Sequence, residues 1–333
     1  MSDEPMFTTV FIGNSGTGKT SILSAMYMTL EKACLPCGLS LIPKTEDEFQ
    51  LLKNKWTEMK HHIRRQQFGA TITKPLYQGS AGFTAHDFCL TGDRSDPQTG
   101  IPIRIMDTKG GDTARTDSRL IETVVQSFAV MCAVDATFLM ECDSDVNEEM
   151  NELLSIKQIL ERALSRQDNM IGSVFFLLTK CEKYMQDDTR RQAMAEKFNT
   201  EFSPILEMLR QRGKEVYYLP VQTMGCVELA RIEENENGEW NQYFQTVLGK
   251  EFDGSDAVQP LSLLLQLVIC ILNDVIQNEW ENRPWYEVIF DALTFKEAPA
   301  RLDGLVQAIA GHFGPPKDWR SNQGGTLAEV VPV

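Results

Sequence analysis

Residues 6–20, MFTTVFIGNSGTGKT, constrain the fold more than any other stretch of the chain. An apolar, β-branched run from Phe7 to Ile12 reaches a glycine. The eight residues Gly13, Asn14, Ser15, Gly16, Thr17, Gly18, Lys19 and Thr20 then fit G-x-x-x-x-G-K-[ST]. A helical pattern follows at once, with Ile22, Leu23, Met26 and Leu30 on one face. Strand, glycine loop and helix together define a phosphate site. The glycines let backbone N–H groups curl inward, and the helix N-terminus adds positive potential. In that reading Lys19 reaches the β- and γ-phosphates, the Thr20 hydroxyl ligates Mg²⁺, and Ser21 lies at the edge of the phosphate cradle.

Alternation of strands and helices continues downstream. The sequence predicts helices over 46–67, 119–132, 145–166 and 189–212, the last interrupted at Ser203-Pro204. Asp145-x-x-Glu148 reads as the capping box that opens the third of these. Strands are predicted at 83–90, 101–106, 136–141, 173–178 and 215–221, with a shorter extended piece at 39–43. Strands at 83–90 and 101–106 flank the turn-rich TGDRSDPQTG and form an antiparallel hairpin. The expected fold is therefore α/β: a three-layer sandwich with a mostly parallel sheet and one antiparallel edge strand. Along the chain this gives a nucleotide-binding domain over 1–230, with a helical insertion at about 44–68. An acidic linker follows over 231–256, then a helical extension over 257–314 and an irregular tail over 315–333. The run Leu261 to Leu272 is apolar nearly all round but too short to span a bilayer, so it reads as a buried helix.

Charge and cysteine content exclude several classes. With 47 acidic against 32 basic residues the formal net charge is −15, and the overall field repels nucleic acid and anionic membranes. A nucleotide is still compatible, because loop amides, Lys19 and Mg²⁺ act locally. The eight cysteines are scattered, mostly in apolar runs, which is reduced, cytoplasmic usage rather than a disulfide framework. Cys34 and Cys37 form a lone C-x-x-C with no second pair at zinc-finger spacing. The N-terminus is acidic and polar and has no signal-type apolar core. Within the 46–67 helix, Lys53, Lys55, Lys60, Arg64 and Arg65 make a local basic face opposite Phe49, Leu52, Trp56, Met59 and Ile63.

GNSGTGKT, then Asp107-Thr108-Lys109-Gly110, then Thr179-Lys180-Cys181-Glu182, each after a strand, resemble the Ras-like (translation-factor-related) P-loop GTPases over residues 6–226. Within that class the texture is similar to bacterial GTPases encoded with conflict-system or signalling partners. The resemblance implies that Asp107 holds the Mg²⁺ hydration shell and that the Gly110 amide meets the γ-phosphate. It implies that Thr179, Lys180 and Glu182 form the base-recognition motif, with Lys180 packed over the base and Glu182 replacing the usual Asp. A carboxylate there accepts from the N1–H and N2–H₂ groups of guanine, which adenine lacks. Gln222 and Thr223, after the last strand, fill the place of a second base-contacting loop.

A threonine from 69–82 is expected to close over Mg²⁺, with Thr71 chosen and Thr73 next. Where many relatives place a glutamine to orient the attacking water, this chain has Gly111, so intrinsic hydrolysis is expected to be slow, about 10⁻⁴ s⁻¹ or less. A partner, or Asp112, Arg115 or Arg119 in cis, could supply the missing group. The implied function is a GTP/GDP- and Mg²⁺-dependent switch that signals through protein effectors or activators and is able to oligomerise. The alternatives are an ATP-driven remodelling enzyme and a nucleotide-bound scaffold that hardly hydrolyses.

Overall fold

The computed structural model describes residues 7–34, 40–65, 71–72, 83–91, 101–108 and 117–277. Strand β1 (Phe7–Ile12) leads through the glycine loop into helix α1 (Lys19–Cys34). Then come β2 (Ser40–Pro43), α2 (Glu46–Arg65), β3 (Thr71–Ile72), β4 (Thr84–Thr91) and β5 (Ile101–Asp107). Strands β6 (Ala129–Asp135), β7 (Ser173–Thr179) and β8 (Glu215–Pro220) follow, with helices between them. β9 (Val227–Glu234) and β10 (Trp240–Thr246) precede the helix Val258–Gln277.

Among the described residues seven strands form one sheet in the order β2-β4-β5-β1-β6-β7-β8. β5, β1, β6, β7 and β8 run parallel, whereas β4 is antiparallel to β5 and β2 is antiparallel to β4. The antiparallel strand is thus not the edge, as the sequence suggested. Its outer rim would be unpaired, and the short SLIP segment after α1 covers it. Alternation along each strand divides the core. Phe7, Phe11, Met131, Phe175 and Leu177 face α1 and the helix Val258–Gln277. Val10, Ile12, Val130, Cys132, Phe176 and Leu178 face the helices Ser118–Val125, Leu153–Leu164, Asp188–Glu201 and Ser203–Gln211. The sheet is therefore covered on both sides, which is why β6 and β7 are apolar without alternation. Leu261, Leu264 and Val268 are buried as their apolar run required. No helix among the described residues is long and apolar enough to cross a membrane.

Three further expectations are corrected. First, 136–141 is a helix, and the strand is 129–135, where a longer helix was expected. Asp135 caps the start of that short helix, accepting from Thr137 N, while AVMCAV pairs with both β1 and β7. A short apolar run has no period that tells helix from strand. Second, the helix expected over 145–166 is two. Its N-cap is Asp143, accepting from Val146 N, and Glu152 in left-handed backbone (φ 52°) separates Ser144–Asn151 from Leu153–Leu164.

Third, the acidic linker holds two strands. β9 and β10 form an antiparallel hairpin with a register shift at Tyr243/Phe244, and β10 also pairs with β3 in a second, three-stranded sheet. Asn235 closes the turn by accepting from Asn237 N and Glu239 N, with Gly238 at φ 78°. Arg231 lies over the ring of its cross-strand partner Tyr243, 4.2 Å from the centroid. β9 is charged and mostly turned to solvent beyond Leu229, and β10 is polar-aromatic and half-buried at every position, so the apolar alternation that signals a strand is missing.

Candidate functional site

The loop between β1 and α1 is shaped by its glycines. Gly13 has φ 137°, and a Cβ there would stand 2.6 Å from the Ala133 carbonyl oxygen of β6. Gly16 (φ 79°) and Gly18 (φ 90°) also have left-handed backbone, and a Cβ on Gly16 would meet nothing within 4 Å. The chain turns so that Lys19 folds back across the loop. Its ammonium donates to the carbonyls of Gly13 at 2.7 Å and Asn14 at 2.8 Å, and the side chain is buried. Thr17 is also buried, with its hydroxyl donating to the Asn14 carbonyl, whereas Ser15 and Gly16 are exposed. The Asn14 amide donates to the Met150 carbonyl, tying the loop to the helix Ser144–Asn151.

Asp107 reaches the same place from β5. Because β5 lies next to β1, Asp107 is in register with Phe11, and the Thr20 hydroxyl donates to its Oδ2 at 2.8 Å. The neighbouring Thr108 hydroxyl donates to the Phe11 carbonyl at 2.6 Å and locks the two strand ends together. Thr20 and Asp107 are both buried and offer only oxygen donors, the set suited to Mg²⁺, which keeps several waters and takes one or two carboxylates. Around them stand His86 of β4, which is buried, and Lys55 of α2, which is half-buried. Burial pushes both groups below their ordinary values, and the Asp107 charge pulls both the other way. Lys55, on the basic face expected from the sequence, is therefore half-buried rather than fully exposed as Lys53 is.

The far end of the site is built from β7. The Thr179 hydroxyl donates to the Thr17 carbonyl at 2.7 Å and the Val134 carbonyl at 3.2 Å, which joins the predicted base motif to the glycine loop. Lys180 follows in left-handed backbone (φ 53°). Its ammonium donates to Asp135 Oδ2 at 2.5 Å and Gln242 Oε1 at 2.6 Å, and sits 5.8 Å from the Phe244 ring centroid. Glu182 is buried and accepts from Met224 N at 3.2 Å. Burial pushes its carboxyl up to about 7, with the Met224 and Gly225 amides opposing the shift.

The group expected to meet a base thus caps the turn after β8. That turn is closed further. Gln222 donates to Asp256 at 2.8 Å, Thr223 is buried, and Gly254 is so close to Trp56 of α2 that a Cβ would come within 2.5 Å of the ring. Trp56 also packs edge-on against Phe252, with centroids 4.8 Å apart.

The structure therefore brings together Gly13 to Thr20 with Asp107, and joins Thr179 to them. Lys180 lies beside Asp135, and Glu182, Gln222 and Thr223 form a closed turn. Thr71 is placed by its backbone in β3, opposite Gln245. Thr73, Gly110, Gly111, Asp112, Arg115 and Cys37 lie outside the described residues, as do the helices expected beyond 281. Arg119 lies over the Phe83 ring, 5.6 Å from its centroid. Among the described residues no group of three or more His, Cys, Asp or Glu side chains could hold a metal ion.

Sequence reading missed Asp135 and Gln242. Asp135 accepts from Lys180, from Gln242 Nε2 at 2.8 Å, and from the Thr137 amide and hydroxyl, while Asn151 bonds its backbone N–H and carbonyl. An acid at the end of a buried strand was the available signal, and misplacing that strand hid it. Gln242 had no signal at all, because it arrives from a hairpin read as a linker. No model of a known protein family matches the chain, and no curated protein sequence matches it.

Proposed function

We propose that this protein is a P-loop guanine-nucleotide switch that binds GTP and GDP with Mg²⁺ at the Gly13–Thr20 loop. The observation that carries the reading is the 2.8 Å hydrogen bond between Thr20 and Asp107 at the mouth of the glycine loop, with Lys19 buried across the loop's carbonyls. The N-terminus of α1 and the end of β5, distant in sequence, converge there on a hydroxyl–carboxylate pair. Mg²⁺ bound there supplies neutralisation of phosphate charge. Thr20 and Asp107 would hold its shell, Lys19 would exchange the Gly13 and Asn14 carbonyls for the terminal phosphates, and the loop amides would cradle the rest.

The strand order favours a switch over an ATP-driven remodeller. β5, carrying Asp107, is directly beside β1, whereas remodelling enzymes usually insert a strand between them. A guanine preference requires Glu182 to give up Met224 N or a different group to read the base, so it is the part of the proposal most exposed to test. With Gly111 in place of a water-orienting glutamine, hydrolysis is slow and partner-stimulated. Output passes to a protein partner, for which the exposed Lys53, Arg64 and Arg65 of α2 offer a basic surface in an acidic protein. The compartment is the cytoplasm. Titration of the nucleotide-free protein with GTP, GDP and ATP analogues tests the reading. Saturable binding of the guanine nucleotides supports it, and equal affinity for ATP removes the guanine claim.

A further inference from the structure

Hairpin β9–β10 enters the candidate site at one point. Gln242, on β10, accepts from the Lys180 ammonium at 2.6 Å through Oε1. Through Nε2 it donates to Asp135 at 2.8 Å and to Thr137 at 2.5 Å. Its amide therefore completes a ring of charge-assisted hydrogen bonds with the ends of β6 and β7. Two residues along, Phe244 places its ring under the same ammonium. Lys180 carries a long flexible stem on left-handed backbone, and a free lysine head would sample many rotamers. Here the head has three partners. Asp135 belongs to the sheet, but Gln242 and Phe244 come from a separate three-stranded sheet that also holds the backbone of Thr71.

The geometry points to Gln242 as a positioning residue for the nucleotide base: from β10 it holds the Lys180 ammonium against Asp135, so that the Lys180 stem stays presented to a purine ring. This rests on the reading of Lys180 as the residue that packs on the base. It assigns the hairpin a task that phosphate binding does not need. The side chain of Gln242 directs its hydrogen bonds to Lys180, Asp135 and Thr137, at the ends of β6 and β7. Gln242 therefore governs affinity for the base and not for the phosphates. Anything that lifts the hairpin would loosen the nucleotide from its base end.

The test compares a ligand that has a base with one that lacks it. Binding of GDP and of inorganic pyrophosphate, each with Mg²⁺, is measured by calorimetry for wild type, Gln242→Met, Lys180→Met and the double variant. Methionine keeps the volume of both side chains and removes the hydrogen-bonding groups. Loss of a charge-assisted bond should weaken GDP about tenfold in Gln242→Met. Pyrophosphate affinity should be unchanged, and the double variant should bind GDP no worse than Lys180→Met. Gln242→Met binding GDP like wild type, or losing GDP and pyrophosphate alike, overturns the positioning role while the switch reading stands. A wild type that binds pyrophosphate but not GDP, or binds neither, overturns both.

Discussion

Glu182 offers a prediction whose sign is set by its surroundings. Its carboxyl is buried, and burial raises it from the ordinary 4.5 to about 7. The folded protein thus holds a proton there that the unfolded chain gives up, across the range between those two values. The stabilising contribution is complete below about pH 4.5 and is lost as pH rises through about 7. A shift of this size corresponds to about 3 kcal/mol. Glu182→Gln keeps a carbonyl oxygen to accept from Met224 N and removes the ionisation. Urea unfolding at pH 5, 6, 7 and 8, with constant slope, gives the stability of each protein. The variant should gain on wild type as pH rises, with most of the roughly 3 kcal/mol appearing between pH 5 and 8. Taking the difference between the two proteins cancels His86, Lys55 and the other shared groups that are not coupled to Glu182, which leaves Asp256 as the neighbouring carboxylate that feels the change. A difference that stays flat across this range would refute the reasoning. It would mean that Glu182 is ionised in the folded state across this range.

Other consequences follow from single contacts. Gly13→Ala puts a methyl 2.6 Å from the Ala133 carbonyl at φ 137°, so it should destabilise by more than about 2 kcal/mol in urea and abolish nucleotide binding. An unchanged midpoint would contradict the close approach. Thr179→Val removes the hydroxyl that bonds Thr17 and Val134, and should cost about 1–3 kcal/mol. Nucleotide affinity should fall with it, and unchanged affinity would sever the link between β7 and the glycine loop. Single-turnover GTP hydrolysis by the isolated protein should run at about 10⁻⁴ s⁻¹ or slower, because Gly111 has no side chain to orient water. A rate near ten per second would exclude a slow switch.

The parts of the fold legible in the sequence are those where one local rule decides. Gly13 to Lys19 could be read because left-handed glycines, a buried strand and a helix start coincide within one stretch. The apolar runs of β7 and β8 and the break at Ser203-Pro204 were legible for the same reason. Where two rules competed, the reading slipped. AVMCAV continues a helical pattern and also fills a buried strand, and only its pairing with β1 and β7 decides. Asn147 and Asn151 look like the polar side of one helix, yet both are buried, and Asn151 holds the backbone of Asp135. β10 was invisible because WNQYFQT is half-buried throughout, without alternation. With it went Gln242, a side chain whose partners are 62 and 107 residues away in sequence. Glu182 was singled out in the sequence as a base-reading carboxylate, but its burial under the Met224 turn depends on the segment around Asp253 to Asp256, which carries no local signal.

The central claim is that the Gly13–Thr20 loop and Asp107 grip a nucleotide's phosphates around Mg²⁺. Calorimetric titration of a non-hydrolysable GTP analogue into wild type and Lys19→Ala, with and without Mg²⁺, tests it most directly. The account predicts saturable one-to-one binding by wild type that weakens when Mg²⁺ is removed and falls at least about tenfold in Lys19→Ala. Binding that ignores both Mg²⁺ and Lys19, or no binding at all, would contradict it.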